Sequence, residues 1–136
     1  MVRNKIARLA LGIITVAAVV WVVSQALTQQ HEARRAGAQE VSIAAVSAAS
    51  TADAGALSQL FDRPMNADEA ERLRGLMPAG LRPGFVARSW SEQDPSGATV
   101  QVQSSNDPTF AVIVNLLEDA SPNGWRVVSI VRAQPK

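Results

Sequence analysis

A run of 22 residues, Ile6 to Leu27, constrains everything else in this 136-residue chain. It carries no charge after Arg8 until Glu32, and its polar members between Arg8 and Ser24 reduce to Thr15. A helix rises about 1.5 Å per residue, so roughly 20 apolar residues cross a hydrocarbon core of about 30 Å. Residues 6–27 are therefore expected to form a transmembrane helix in contact with membrane lipid. A short cytoplasmic stretch, 1–5, would precede it. A polar juxtamembrane segment, 28–40, and an extracytoplasmic domain, 41–136, would follow.

The opening Met1-Val-Arg-Asn-Lys is also the grammar of a secretory signal peptide, and Ser24-Gln25-Ala26 offers a small-x-small site for cleavage after Ala26. Length favours retention, since the apolar run exceeds a usual signal core. Trp21, near its far end, suits the lipid–water interface. Arg3, Lys5 and Arg8 place the N-terminus in the cytoplasm by the positive-inside bias, although Arg34 and Arg35 beyond the run weaken that bias. The domain would then stand in the periplasm, with the chain anchored in a bacterial inner membrane. Ala10, Ala17 and Ser24 recur every seven residues, a candidate packing face where another membrane helix can approach closely. In a chain this rich in alanine, such a stripe also arises by chance.

Charge and residue types exclude several classes of function. Beyond the apolar run, 10 basic residues face 12 acidic ones, a balance of about −2. Nucleic-acid binding rewards dense Lys/Arg surfaces, so no nucleic-acid partner is expected. The chain has no cysteine, which rules out disulfides, thiolate metal sites and a lipoprotein anchor. His31, the single histidine, has no partner ligand in view for a haem or chlorophyll and reads as a solvated interface residue.

Periodicity gives the domain. The juxtamembrane segment continues a helix, with Gly37 a candidate interruption. Val41, Ile43, Ala44, Ala45, Val46, Ala48 and Ala49 mark a closely packing small-residue helix over 40–52. A short helix over 56–61 should bury Leu57, Leu60 and Phe61. Asn66, with Glu69 three residues on, caps a third helix that runs to about Met77. After Pro83-Gly84 the pattern alternates. Strands are expected over 85–91, 98–103, 110–117 and 125–132, separated by Pro/Gly/Asn/Asp turns, and the third, apolar on both faces, should be central. Helices followed by an antiparallel meander make an α+β domain, about three helices on a four-stranded sheet.

Asp53-Ala-Gly-Ala-Leu-Ser-Gln-Leu-Phe61 and the last hairpin, Asn123-Gly-Trp-Arg-Val-Val-Ser-Ile130, resemble the cystatin-like α+β folds. These include the NTF2-like superfamily and its small membrane-anchored bacterial members. The resemblance implies that Trp125, which opens the final strand, packs beneath the helices. The chain is short for the full family plan, leaving room for only a shallow concave face.

NTF2-like enzymes place His, Asp or Tyr in a deep cavity, whereas this domain has no tyrosine and no histidine after His31. Its acids fall at helix starts and in turns, where dipoles, caps and solvent account for them. No catalytic, metal or cofactor site can be nominated, and an enzyme is not expected. Arg88, Trp90, Arg126 and Arg132 form a candidate interaction surface, being types enriched at interfaces, against the plainer reading of a solvated sheet face. The expected function is that of an accessory or assembly subunit of a larger respiratory, photosynthetic or secretory membrane complex. The alternative is a tethered module for a peptide or small apolar ligand, held in a cavity lined by Leu57, Phe61, Leu73, Phe110 and Trp125.

Overall fold

The computed structural model describes residues 29–93, 97–119 and 124–133, with the separate positions Val22 and Gln25. The chain divides into two compact units, Met1–Arg34 and Arg35–Lys136. Most of the first lies outside the described residues, including Ala10, Ala17, Trp21 and Ser24. Val22, Gln25 and residues 29–34 are helical and exposed. Among the described residues, no helix is long and apolar enough to cross a membrane.

In the second unit the helical residues continue to 50 (α1, 29–50). Ala38, Val41, Ser42, Ala45, Val46 and Ala49 are almost wholly buried, at the three-and-four spacing of one helix face. Ser42 is accommodated there because its Oγ donates to Ala38 O at 2.7 Å. Gly37 does not interrupt the helix. A glycine inside a helix costs about 1 kcal/mol relative to alanine, and packing of the stripe that begins at Ala38 outweighs it.

Helix α2 (Ala54–Leu60) starts two residues earlier than its apolar pattern suggests, because Asp53 serves as N-cap and accepts from Ala56 N at 3.1 Å. Leu57 is its buried residue, and Phe61, just past the helix in extended conformation, is buried as well. Helix α3 (Ala67–Arg74) begins at Asn66, whose Oδ1 accepts from Glu69 N at 2.8 Å. It ends at Gly75, so Leu76 and Met77 reach the core from the following turn rather than from the helix.

Four strands follow: β1 (Phe85–Gln93), β2 (Gly97–Ser104), β3 (Ala111–Glu118) and β4 (Trp125–Arg132). They pair in sequence order, every neighbour antiparallel, so β2 and β3 are the inner strands. The pairs Val100–Val114, Val102–Val112 and Leu116–Val127 set one face against the helices. All of these side chains are at most 2% exposed. They join the helical residues in a single apolar core.

Each outer strand carries a bulge, at Arg88 in β1 and at Val128 in β4. Bulges add twist and disturb an edge that would otherwise template pairing with another chain. The free side of β4 is also covered. The segment after α2 makes a parallel bridge between Phe61 and Val127, and Asp62 N donates to Val127 O at 2.9 Å. Arg63 Nη1 donates to the carbonyl of the bulge residue Val128 at 3.2 Å. Gly84, at φ +131°, leads into β1. A Cβ there would stand 3.2 Å from Asn106 Nδ2, which donates to Pro83 O at 3.0 Å.

Candidate interaction surface

The four residues nominated from sequence fall in different places. Arg126 lies opposite Leu117 on the sheet face away from the helices. Its Nε donates to Asp119 Oδ2 at 2.8 Å, and Nη1 donates to Gln59 O at the end of α2. Arg88, the bulge residue of β1, is exposed. Its Nε donates to Gln103 Oε1 at 2.8 Å, and Gln103 in turn donates to Pro108 O at 2.7 Å.

Trp90 pairs with Val100 and so belongs to the core side, half-buried against the apolar cluster. Its ring meets that of Trp125 edge-on, with centroids 5.6 Å apart and planes at 85°, a favourable aromatic geometry. Trp125 is 2% exposed. Arg132 pairs with Val112, also in core-side register, and its guanidinium lies 5.8 Å from the Phe110 ring centroid. The hydroxyl and amide of Thr109 hold the Asp107 carboxyl below its ordinary value of 3.8, and the charge of Arg132 acts in the same direction. Strand alternation separates the set: the bulge at Arg88 shifts parity, placing Trp90 inward.

The face away from the helices is defined instead by residues that sequence reading passed over. Ile113 and Val131 are directly paired, and Leu117 lies two positions beyond Asn115 on β3. Val131 and Leu117 are 46% and 45% exposed. Between them Asn115 Nδ2 donates to Ser129 Oγ at 2.8 Å, which ties the central polar pair together within the face. The signal for this face was present in the apolar run of β3, where three of the four outward positions of the strand are aliphatic.

Leu57, Phe61, Phe110 and Trp125, proposed from sequence as lining a cavity, are each at most 3% exposed and belong to the packed core, with Leu73 half-buried against it. A surface cleft of about 550 Å³ that includes only Phe61 of these five lies between the α2–α3 connection and the β3–β4 hairpin. It is lined by Phe61, Pro64 and Leu117 together with the charges of Arg63, Glu118 and Arg126. Arg63 itself stays within 3.6 Å of Asp62 and 3.8 Å of Glu69. Among the described residues, no group of three or more His, Cys, Asp or Glu side chains is placed to hold a metal ion.

Scans against protein-family models, curated proteins and solved structures find no match for this chain.

Proposed function

We propose that the chain is a non-enzymatic accessory or assembly subunit of a larger bacterial inner-membrane complex, respiratory, photosynthetic or secretory. It is held by one helix over 6–27, with its N-terminus cytoplasmic and its cystatin/NTF2-like domain bracing the complex in the periplasm. The observation that carries this reading is the 22-residue apolar run, flanked on its N-terminal side by Arg3, Lys5 and Arg8. The polar chemistry of the domain supports it. Asp53 and Asn66 cap helices, Asp107 orders a turn, and Asp119 pairs with Arg126, so these side chains have structural roles. Gentle solubilisation of native membranes, followed by capture of the tagged chain and mass identification of its companions, tests the proposal. Recovery with stoichiometric integral-membrane partners is expected. Recovery of the chain with no other polypeptide overturns it.

The second reading, a tethered binding module, is favoured by the cleft beside Phe61 and Leu117. Its apolar residues, with Asp62, Glu118 and Asp119 against Arg63 and Arg126, suit an extended peptide better than a wholly apolar ligand. Leu117→Arg would block that cleft and abolish peptide capture without altering recovery of membrane partners.

A further inference from the structure

The outward face of the sheet has an unusual charge pattern for a solvated surface. None of its strand residues is acidic, and its only bases, Arg88 and Arg126, lie on the outer strands and are already hydrogen-bonded within the molecule. The β3–β4 half presents Ala111, Ile113, Leu117 and Val131, while its polar pair, Asn115 and Ser129, is joined by one hydrogen bond. That half can be dried at modest cost, because few of its groups would lose water without replacement. The β1–β2 half carries Ser89, Ser91, Thr99, Gln101 and Gln103 and would pack as a polar flank.

From this we infer that the face packs against the same face of a second copy of the chain, sheet on sheet, about a twofold axis that lies between the sheets and crosses β3 at Asn115. This inference goes beyond the subunit reading and stands or falls separately from it. Three observations select a second copy over other occupants. Apposing an uncharged interior with itself creates no like-charge pair, which is the usual obstacle to self-association. The row Ile113, Asn115, Leu117 is symmetric about its centre, so the axis sets Ile113 of one copy over Leu117 of the other, as an isologous interface requires. Four strands of about eight residues, roughly 4.8 Å apart and rising about 3.4 Å per residue, present a face of about 500 Å² in projection, its β3–β4 half aliphatic and its β1–β2 half Ser, Thr and Gln. With side-chain relief this reaches the lower end of specific interfaces, about 600 Å² of accessible surface per partner.

Other partners fit the face less well. An anionic lipid surface would call for lysines or free arginines. A sugar would call for a stacking aromatic, and the strand tryptophans, Trp90 and Trp125, face the core side.

The absence of cysteine allows a clean test in the full-length protein in its own membranes. Asn115→Cys places a thiol on the axis, facing its copy across sheets about 10 Å apart, and a bifunctional maleimide of matching reach should link them. The expected product has twice the 14.4 kDa chain mass. Arg72→Cys, on the exposed surface of α3, should give none. Adding Leu117→Lys to Asn115→Cys should suppress the product. In detergent, sedimentation of Leu117→Lys alone should show a dimer dissociation constant raised at least about tenfold, with the thermal midpoint unchanged at dilutions where it no longer moves with concentration. Ile113→Thr, a milder change, should weaken the dimer in the same direction. The inference is overturned if Asn115→Cys gives no dimer, if Arg72→Cys links equally well, or if the thiol links to a different polypeptide. It is also overturned if Leu117→Lys folds normally and leaves the dimer intact.

Discussion

Leu116 and Leu117 are the same side chain, adjacent on the same strand, and the protein treats them oppositely: Leu116 is 2% exposed and Leu117 is 45% exposed. The same holds for the two faces of the sheet as wholes. On one, Val100, Val102, Val112, Val114 and Val127 are fully buried in a core shared with the helices. On the other, Ile113, Leu117 and Val131 lie outside that core. On β3 and β4 residue type therefore does not separate the faces; coverage by helices does. A strand that is aliphatic on both sides marks its inner face as structural and leaves its outer face in need of another explanation.

The sharpest way to break the comparison is to truncate each leucine in turn. Leu116→Ala removes packed atoms from a closed core and should cost about 2–5 kcal/mol, the larger values applying where the cavity cannot collapse. Leu117→Ala should change the unfolding free energy by no more than about 0.5 kcal/mol. Urea titration followed by tryptophan fluorescence measures both, at dilutions where the midpoint no longer moves with concentration. Equal costs would show that the two faces are energetically alike and would remove the ground for assigning the outer one to association.

Gly84→Ala tests the hairpin support of the inner face and should rank next, at about 1–3 kcal/mol. The substitution meets a backbone at φ +131° and a neighbour, Asn106 Nδ2, at 3.2 Å, whose bond to Pro83 O would have to give. Asn66→Ala should cost about 1 kcal/mol by uncovering the first turn of α3, one of the helices that close the inner face. Neither change touches the outer sheet face, so both should lower the thermal midpoint while leaving cross-linking at position 115 intact.

Much of this architecture was written in short-range pattern. Strand β4 occupies the range that its alternation and flanking turns define, and Asn66 caps the helix that its sequence context implies, because both signals are local. The alternation of β2 foretold its buried and wet sides, as Val100 and Val102 against exposed Gln101. What stayed hidden depends on the third dimension. Parity through a bulge cannot be counted from sequence, so Trp90 and Arg88 were grouped on one surface and the bulge sent them to different ones. The coverage of β4 by Phe61, Asp62 and Arg63 left no periodic trace, since an isolated bridge and a guanidinium on a bulge carbonyl have no repeat. The outer patch was legible only as the failure of β3 to alternate, and that failure alone does not distinguish a central strand from a docking face.

The smallest expected effect concerns the far end of the core-side register, where Arg132 stands over Phe110 and acts on Asp107. Asp107 Oδ1 accepts from the hydroxyl of Thr109 at 2.6 Å and from its amide at 3.1 Å, and these bonds favour the ionised carboxylate, with Arg132 adding to them. The folded-state pKa is therefore below the ordinary 3.8, so below that pH the unfolded chain binds the proton more readily than the folded one. The contribution of this group is complete above pH 3.8 and is lost as pH falls through the lower folded value. Asp107→Asn keeps an acceptor for the Thr109 amide while removing the charge. It should lower stability slightly near neutral pH, where the charge contributes, and leave it unchanged in strong acid, so that the acid limb of the stability–pH curve flattens below about pH 4. The position is exposed at its carboxylate, so screening by solvent keeps the change small, and a variant that lost stability equally at pH 7 and pH 3 would show that the turn geometry, not the charge, is what Asp107 supplies.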